Sequence, residues 1–155
     1  MSVETVKKYL DRWGKGKDVL EFDCSSATVE LAAQALGVEP ARIAKTLSFK
    51  KGDGCILLVA AGDVKVDNSK FKAEFGFRPS MLPPDEVIRL TGYAVGGVCP
   101  FALPDGIEVY ADVSLQRYET VFPACGSSNS AIRLNPSELN EYAGIKKWVD
   151  VCKKI

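Results

Sequence analysis

The sequence predicts an α+β fold, a single compact domain in which helices surround a mixed, curled β-sheet. Two observations lead to this prediction. Helix and strand patterns are mixed along the chain without the regular strand–helix–strand alternation of a parallel sheet. In addition, the 155 residues are 46% hydrophobic and 26% charged, which is typical of one globular domain with a substantial core. No repeat, low-complexity segment or linker divides the chain, so we expect one domain over residues 1–155.

The first helix is predicted from a cap and an apolar stripe. Ser2 can cap this helix and Gly14 can end it. Its apolar residues recur on one face, at Val3, Val6, Leu10 and Trp13. A strand is expected next, over residues 19–23 (VLEFD).

A second helix is expected to begin at Ser26 or Thr28 and to end at Gly37. Pro40 fits the first turn of a short helix that continues through Ala44. These two helices lead directly into the clearest pattern of the chain.

That pattern is a β-hairpin. KTLSFK (45–50) and CILLVAA (55–61) have strand character, and KGDG between them provides the turn. Lys45 would then lie where the short helix meets the first strand of the hairpin.

The second half of the chain carries further helices and strands. Asp67 is placed to cap a helix that Gly76 ends, and another helix is expected over residues 85–90. Strands are expected at 107–112, 119–124 and 130–134. Asn135-Pro136-Ser137-Glu138 is a strong helix start, and that helix should end near Gly144. The tail fits either a helix, through Ile145, Trp148, Val149 and Cys152, or a strand, through WVDV.

Charge and hydropathy exclude several classes of protein. Twenty basic side chains balance twenty acidic ones, so the chain lacks the basic footprint of a protein that grips long nucleic acid, and a contact with a nucleic-acid end stays open. The N-terminal segment is charged throughout, and no apolar run reaches the length of a membrane span. We therefore expect a cytoplasmic protein with no membrane and no DNA partner.

The absence of histidine narrows the chemistry. A Ser-His-Asp or Cys-His constellation, a His-ligated metal and a histidine general base are all excluded. The five cysteines are odd in number, far apart and without a C-x-x-C pair, so we expect reduced, buried thiols rather than disulfides. We expect no metal and no cofactor.

Two glycine-rich segments and one lysine are candidates for a site. GYAVGGVCP (92–100) and ACGSSNSA (124–131) can offer backbone N–H groups to an anionic or carbonyl oxygen, or can be tight structural turns. Lys45 is either a solvated lysine at a helix end or a cation aimed into a pocket, where it would bind a phosphate or polarise an ester.

Candidate nucleophiles are weaker. Cys99, Ser127 and Ser128 would each need a lysine or a carboxylate as base, and a Ser-Lys dyad with Lys45 is conceivable but not favoured by the spacing. Tyr93 fits a core or loop anchor better than a base-stacking platform.

Taken in order, these pieces resemble the YbaK/ProX family of aminoacyl-tRNA deacylases, also called the prolyl-tRNA synthetase associated editing domain. The similar segments are TVELAAQALGVEPARIAKTLSF (28–49), AAGD (60–63), TGYAVGGVCPF (91–101) and ACGSSNSAIRLNPSEL (124–139). The resemblance implies a curled, barrel-like mixed sheet and a free-standing editing hydrolase. Such an enzyme cleaves the ester between a wrong amino acid and its tRNA.

The resemblance also implies roles for particular residues. The catalytic positions would be Lys45, Gly96 and Gly97. The substrate-binding positions would be Thr46, Tyr93, Val98, Cys99, Pro100, Gly126, Ser127 and Ser128. The partner would be the 3′ end of an aminoacyl-tRNA, and an aminoacyl-tRNA synthetase is a further partner that the resemblance allows. Because an aminoacyl ester is already activated, positioned water and an electrophilic cradle suffice without a protein nucleophile.

Two departures from the family pattern leave the substrate open. Cys99 stands where related proteins often have serine or another small residue. Ala131 lies in the neighbourhood where the cysteinyl-tRNA(Pro) deacylase branch carries an acidic residue. The edited amino acid, whether Ala, Ser, Thr or Cys, therefore stays open. A second function also stays open, namely a non-catalytic module that binds tRNA or a nucleotide and docks on a synthetase.

Overall fold

The computed structural model describes residues 2–155, and nine β-strands lie within them. In chain order they are β1 (Leu20–Glu21), β2 (Ile43–Lys51), β3 (Gly54–Ala61), β4 (Val64–Val66), β5 (Glu108–Asp112), β6 (Phe122–Pro123), β7 (Ser130–Ala131), β8 (Ile145–Val149) and β9 (Cys152–Lys154). Five of these strands form a mixed sheet in the order β6-β2-β3-β5-β8. Only the β2–β3 pair is antiparallel, and the other three pairs of that sheet are parallel. Two small antiparallel ribbons, β1–β7 and β4–β9, flank it.

Five α-helices surround the sheet within the same residues, as the α+β prediction expects. They are α1 (Val3–Leu10), α2 (Val29–Leu36), α3 (Asn68–Phe75), α4 (Pro84–Thr91) and α5 (Pro136–Tyr142). Short 3₁₀ turns lie at Asp11–Trp13, Gly16–Asp18, Pro40–Arg42 and Val113–Arg117. The result is a single compact α+β domain with a curled half-barrel sheet.

The predicted helix starts are confirmed by their caps. The side chains of Ser2, Thr28, Asp67 and Asn135 each accept a hydrogen bond from a backbone N–H three residues on. Asn135 forms a complete capping box with Glu138, whose carboxylate accepts from the Asn135 backbone N–H at 3.0 Å. Each of these bonds satisfies an N–H that the first turn of a helix leaves free.

The hairpin is confirmed as well, and its second strand is the centre of the core. Lys51 pairs with Gly54 across the turn, and Ala44 pairs with Ala61 at the open end. Every residue from Cys55 to Ala61 is buried, because β3 lies between β2 and β5 and both of its faces are covered. This explains why its sequence is a continuous apolar run rather than an alternating one.

Several predicted boundaries are wrong, for one common reason. The short helix ends at Arg42 rather than Ala44, because Ile43 and Ala44 pair with Phe122 and Pro123 of β6. The strands expected at 19–23, 119–124 and 130–134 contain only two residues each. The tail, which the sequence leaves open between a helix and a strand, forms the strands β8 and β9, because β8 pairs with β5 and β9 pairs with β4. In each case, pairing with a distant segment decides the conformation.

The outer edge of β2 is left open over a few residues. Within residues 2–155, β6 pairs with β2 only at Ile43 and Ala44. The next strand-like contact on that side is an isolated bridge between Phe49 and Met81. Residues 45–47 therefore face a gap in the sheet, and the Ser48 carbonyl accepts from the Leu82 N–H beyond it. No helix among the described residues is long and apolar enough to cross a membrane.

Candidate active site

A cavity of about 440 Å³ occupies the gap beside β2. Its wall combines the open edge of β2, the start of α2, the segment that leads into α4, and the glycine loop over residues 94–98. Most of the wall is apolar, through Val29, Ala32, Ile43, Leu47, Leu82, Val87, Val95, Val98 and Phe122. The polar lining residues are Ser26, Thr28, Lys45, Thr46, Ser48 and Ser130. An apolar pocket with a few convergent polar groups is the usual form of a small-molecule site.

Lys45 lies inside β2, three residues past the end of the short helix at Arg42, whereas the sequence placed it at the helix end. Its side chain is partly buried, and its ammonium donates a hydrogen bond to the backbone carbonyl of Val64 at the start of β4. Burial lowers the pKa of Lys45, and the nearby carboxylates of Asp63 and Glu30 only partly oppose that effect. Lys45 is therefore a held, partly desolvated cation on the wall of the cavity, not a solvated lysine at a helix end.

Thr46 follows Lys45 and points to the opposite face of the strand, because side chains alternate along a strand. Both residues nevertheless line the cavity, which extends past the open edge of β2. The hydroxyl oxygen of Thr46 is buried and has no hydrogen-bond partner among residues 2–155. A buried hydroxyl without a partner is destabilising, and a bound molecule with a polar group could satisfy it.

The two glycines of the loop have different surroundings. Gly96 lines the cavity with a positive φ of 94°, and a Cβ there would lie 3.2 Å from the Cβ of Ala27. Gly97 is buried beneath the loop and donates its backbone N–H to the carbonyl of Ala94 at 3.0 Å. A Cβ on Gly97 would lie 3.1 Å from the Cα of Ser127. Gly96 therefore faces the cavity, whereas Gly97 lets the two glycine-rich segments approach each other.

The second glycine-rich segment supports the wall from behind. Gly126 has a φ of 91°, and a Cβ there would lie 2.9 Å from a methyl of Val6 in α1. Ser127 hydrogen bonds to Asn129 and Ser130 within its own turn. The carbonyl of Ser128 accepts from the backbone N–H of Ser26 at 2.6 Å. None of Gly126, Ser127 and Ser128 lines the cavity, so we assign them to positioning the Ser26 side of its wall.

Tyr93, Cys99 and Pro100 are also buried outside the cavity wall. The hydroxyl of Tyr93 donates to the carbonyl of Phe101 at 2.5 Å, and the sulfur of Cys99 lies 3.8 Å from the same oxygen. These contacts close the base of the glycine loop. The three residues, expected from the sequence to contact substrate, thus lie outside the wall of this cavity.

Burial also determines the state of the thiols. Desolvation raises the pKa of Cys99 and that of Cys152 to about 12, and it raises the pKa of Cys55 and of Cys125. These four cysteines are buried, as expected, whereas Cys24 is exposed. All five are free thiols. No group of three or more metal-ligating side chains occurs among residues 2–155.

Several wall residues were not found from the sequence. They are Ser26, Thr28, Met81, Leu82 and Phe122, which come from three separate stretches of the chain. Only Ser26 and Thr28 carried a signal, as alternative caps of the second helix, and the site forms where the N-terminus of α2 meets the gap in the sheet. The other residues look like ordinary turn or core residues until the chain is folded.

This geometry agrees with the comparison to known families. The profile of the family described as "Aminoacyl-tRNA editing domain" matches residues 25–142. That stretch contains β2, the glycine loop and every wall segment of the cavity. The chain therefore belongs to the aminoacyl-tRNA editing domain family, which confirms the resemblance found in the sequence.

Individual relatives agree with the assignment. The chain is 56% identical over 154 residues to the uncharacterised protein YwhH of Bacillus subtilis (strain 168), covering 99% of this chain and 98% of that protein. It is 28% identical over 114 residues to EbsC of Enterococcus faecalis, named as a candidate Cys-tRNA(Pro)/Cys-tRNA(Cys) deacylase, covering 72% and 70% of the two chains. A solved structure, described as a candidate trans-editing enzyme for prolyl tRNA synthetase, has a TM-score of 0.87 and 32% identity over 97% of this chain and 96% of that one.

Proposed function

We propose that the chain is a free-standing trans-editing hydrolase that cleaves the ester of a tRNA carrying a wrong, small amino acid. The family supports editing of aminoacyl-tRNA in general. The observation on which the proposal for this chain depends is that Lys45, a partly buried cation, and Thr46, with an unsatisfied hydroxyl, both line the cavity. A cation and a few polar groups in an apolar pocket suit a polar ligand with an ester at its centre.

In the proposed reaction, Lys45 stabilises the negative charge that develops on the ester oxygen. Its ammonium is partly desolvated, so its interaction with an oxyanion is stronger than it would be in water. The bond to the Val64 carbonyl restricts where the ammonium can lie, and it leaves two of the three ammonium hydrogens for substrate. Gly96, without a side chain, allows the reacting group to approach the loop.

Water is the proposed nucleophile. The thiol of Cys99 is fully buried with a pKa raised to about 12, so it is protonated at neutral pH. The hydroxyl of Ser127 is engaged by Asn129 and Ser130, and Lys45 bonds to Val64 rather than to a serine. A covalent Ser-Lys or cysteine mechanism therefore has no supporting contact. An activated ester with positioned water needs none.

The size and chemistry of the cavity support a small amino acid at the end of a tRNA. Its wall is mostly apolar with a few polar groups, which suits a short apolar or weakly polar side chain. Recognition of an unstacked terminal nucleoside also suits a chain with no net charge, because it needs few phosphate contacts. Discrimination among Ala, Ser, Thr and Cys would depend on a methyl group or one hydrogen bond.

We further propose that the protein acts in the cytoplasm, where aminoacyl-tRNA is made and used, and that a synthetase is a second partner. The synthetase named for the similar structure is the prolyl enzyme. The similar chain and YwhH are both matched over nearly their whole length, which supports action as a separate protein.

One observation favours the second candidate function, a non-catalytic binding module. Lys45 already donates to a backbone carbonyl, and the Gly97 N–H is taken by its own turn, so the electrophilic cradle is not fully preformed. Such a cradle could hold the end of a tRNA without accelerating hydrolysis.

A panel of mischarged tRNAs separates the two functions. We expect Ala-, Ser-, Thr- or Cys-tRNA to lose its amino acid faster with the protein than in buffer, and correctly charged tRNA to be unaffected. Binding of the tRNA without acceleration for any member of the panel would identify a binding module.

A further inference from the structure

The ribbon β4–β9 carries two lysines that face each other. Lys65 of β4 is directly opposite Lys153 of β9, and both side chains are exposed. Neither forms an ion pair among residues 2–155. Like charges directly opposite each other destabilise a pair of strands, so this arrangement calls for an explanation.

The nearby carboxylates are engaged elsewhere. Asp63 forms a bidentate pair with Arg117, at 3.0 and 2.6 Å. Asp67 caps α3 by accepting from the Lys70 N–H at 3.0 Å, and Asp150 pairs with the Lys70 ammonium at 3.2 Å. Neither Lys65 nor Lys153 forms an ion pair with these carboxylates, although the Lys70 N–H bond and, added to it, the charge of Lys153 lower the pKa of Asp67.

The ribbon also lies beside the candidate active site. Val64, the residue before Lys65, provides the carbonyl that accepts the hydrogen bond from Lys45. Cys152, the residue before Lys153, lies close enough to Lys45 to affect its pKa. Lys65 therefore follows the residue whose carbonyl accepts the hydrogen bond from Lys45, and Lys153 follows a residue that lies close to Lys45. The ribbon therefore lies next to the Lys45 side of the cavity.

We infer that Lys65 and Lys153 form a phosphate-binding clamp for the RNA backbone just before the terminal nucleoside. The inference depends on the proposed function, because it takes the end of a tRNA as the occupant of the cavity. The ammonium groups contact phosphate oxygens, which position the strand without reading its sequence. A clamp of two lysines also agrees with a chain whose net charge is zero, since only a short stretch of RNA is held.

A different explanation exists for lysines on a two-stranded ribbon. Exposed lysines protect open strand edges against pairing with another chain. In that case their removal would promote self-association and leave RNA binding unchanged. The two explanations therefore predict opposite results in a binding experiment.

The experiment measures binding of an RNA hairpin with a single-stranded CCA 3′ end, by fluorescence anisotropy over a range of salt concentrations. The test variant is Lys65→Ala/Lys153→Ala, and Lys65→Glu/Lys153→Glu reverses the charge. The matched control is Lys8→Glu/Lys17→Glu, because Lys8 and Lys17 are also exposed, have no ion pair among residues 2–155 and lie away from the cavity.

We expect the alanine pair to weaken binding at low salt and to lower the slope of log Kd against log salt by about two, or about one for each lysine. The control should leave the slope unchanged, and the melting temperature of the alanine pair should not fall, because a like-charge pair has been removed. An unchanged slope, or an equal loss in the control, would overturn the inference.

A second substrate separates this inference from the proposed function. An aminoacylated adenosine without phosphates should be hydrolysed at the same rate by the parent and the alanine pair, while mischarged tRNA at low concentration is hydrolysed more slowly by the variant. If no ester is hydrolysed but RNA binding depends on the two lysines, the hydrolase proposal fails and the clamp stands. If ester hydrolysis is observed but RNA binding does not depend on Lys65 and Lys153, the phosphate clamp is wrong and the hydrolase proposal stands.

Discussion

The ammonium of Lys45 donates a hydrogen bond to the backbone carbonyl of Val64, and this bond ties the wall of the cavity to the ribbon β4–β9. Lys45 lies in β2 and Val64 in β4, so the bond spans 19 residues of sequence. The ammonium is held in place by main chain and forms no ion pair with a carboxylate among residues 2–155. A cation in this state is available to an oxyanion.

The first prediction concerns the charge of Lys45. Lys45→Ala should lose most deacylation, a fall of about a hundredfold or more, because removal of one oxyanion-stabilising donor typically has that effect. Lys45→Met should be equally inactive while keeping most of the buried contacts of the stem. Steady-state rates on mischarged tRNA, with melting temperatures alongside, give the measurement. Normal turnover in either folded variant would remove Lys45 from the mechanism.

A second prediction follows from the lowered pKa of Lys45. If catalysis requires the charged ammonium, the enzymatic rate should decline with rising pH, and the decline should begin before pH 10.5, the ordinary pKa of lysine. The rate is corrected for hydrolysis in buffer alone, which also rises with pH. The unfolded chain binds the Lys45 proton more tightly than the folded chain does, so the charged Lys45 lowers the free energy of unfolding at neutral pH. This loss of stability disappears as the pH rises from the pKa of Lys45 in the folded protein to its pKa in the unfolded chain. Lys45→Met should abolish this contribution to the pH dependence of stability, and an unchanged stability profile would contradict the burial effect.

The third prediction concerns the hydroxyl of Thr46. Thr46→Val keeps the shape and removes a buried oxygen with no partner, so the free energy of unfolding should rise by about 1 kcal/mol. If the hydroxyl bonds to substrate, the same variant should lose about tenfold in kcat/KM. Thr46→Ser is the control that keeps the hydroxyl. A Thr46→Val protein that is both more stable and more active would show that the hydroxyl does not bind the ligand.

A fourth prediction separates the two glycines of the loop. Gly97→Ala should lower the free energy of unfolding by about 1–3 kcal/mol, because its Cβ would meet the backbone of Gly126 and Ser127 at 3.1–3.2 Å. Gly96→Ala should also lose stability, because its φ of 94° is strained for any residue with a Cβ, and it should lose activity per folded molecule because Gly96 lines the cavity. Gly97→Ala should leave activity per folded molecule nearly unchanged. Thermal melts and activity per folded molecule test both. A loss of activity per folded molecule in Gly97→Ala but not in Gly96→Ala would show that Gly97, not Gly96, faces the substrate.

The fifth prediction is that Cys99 is not a nucleophile. Cys99→Ser should retain activity within about tenfold, whereas loss of a covalent nucleophile would reduce it by orders of magnitude. The buried, protonated thiol should also react slowly with alkylating agents in the folded protein. Mass spectrometry after rapid quenching should find no acyl group on Cys99, and detection of one would refute this view.

The sequence was most informative where local chemistry decides the structure. Thr28, Asp67 and Asn135 were recognised as caps because each can satisfy free N–H groups of its own helix. The turn of the β2–β3 hairpin was recognised from its composition for the same reason. Such features involve residues only a few positions apart.

The sequence was least informative where distant segments meet. The sequence predicts Ala44 as the end of a short helix, but pairing with β6 places it in a strand. Nothing in the sequence around Phe122 indicates that this residue lines a cavity. Lys45 and Gly96 were found as candidates, yet the buried positions of Tyr93 and Cys99 depend on packing beneath the loop. Neither the gap beside β2 nor the pairing of Lys65 with Lys153 follows from spacing along the chain.

The uneven burial of the cysteines has a practical consequence. Cys24 is exposed while Cys55, Cys99, Cys125 and Cys152 are shielded, so a thiol-reactive fluorophore should attach at one position in the native, unmutated protein. Cys24 is two residues from Ser26, which lines the cavity, and a dye attached there would lie near the entrance. The chain thus contains a natural labelling point from which arrival and departure of a tRNA end could be followed in real time.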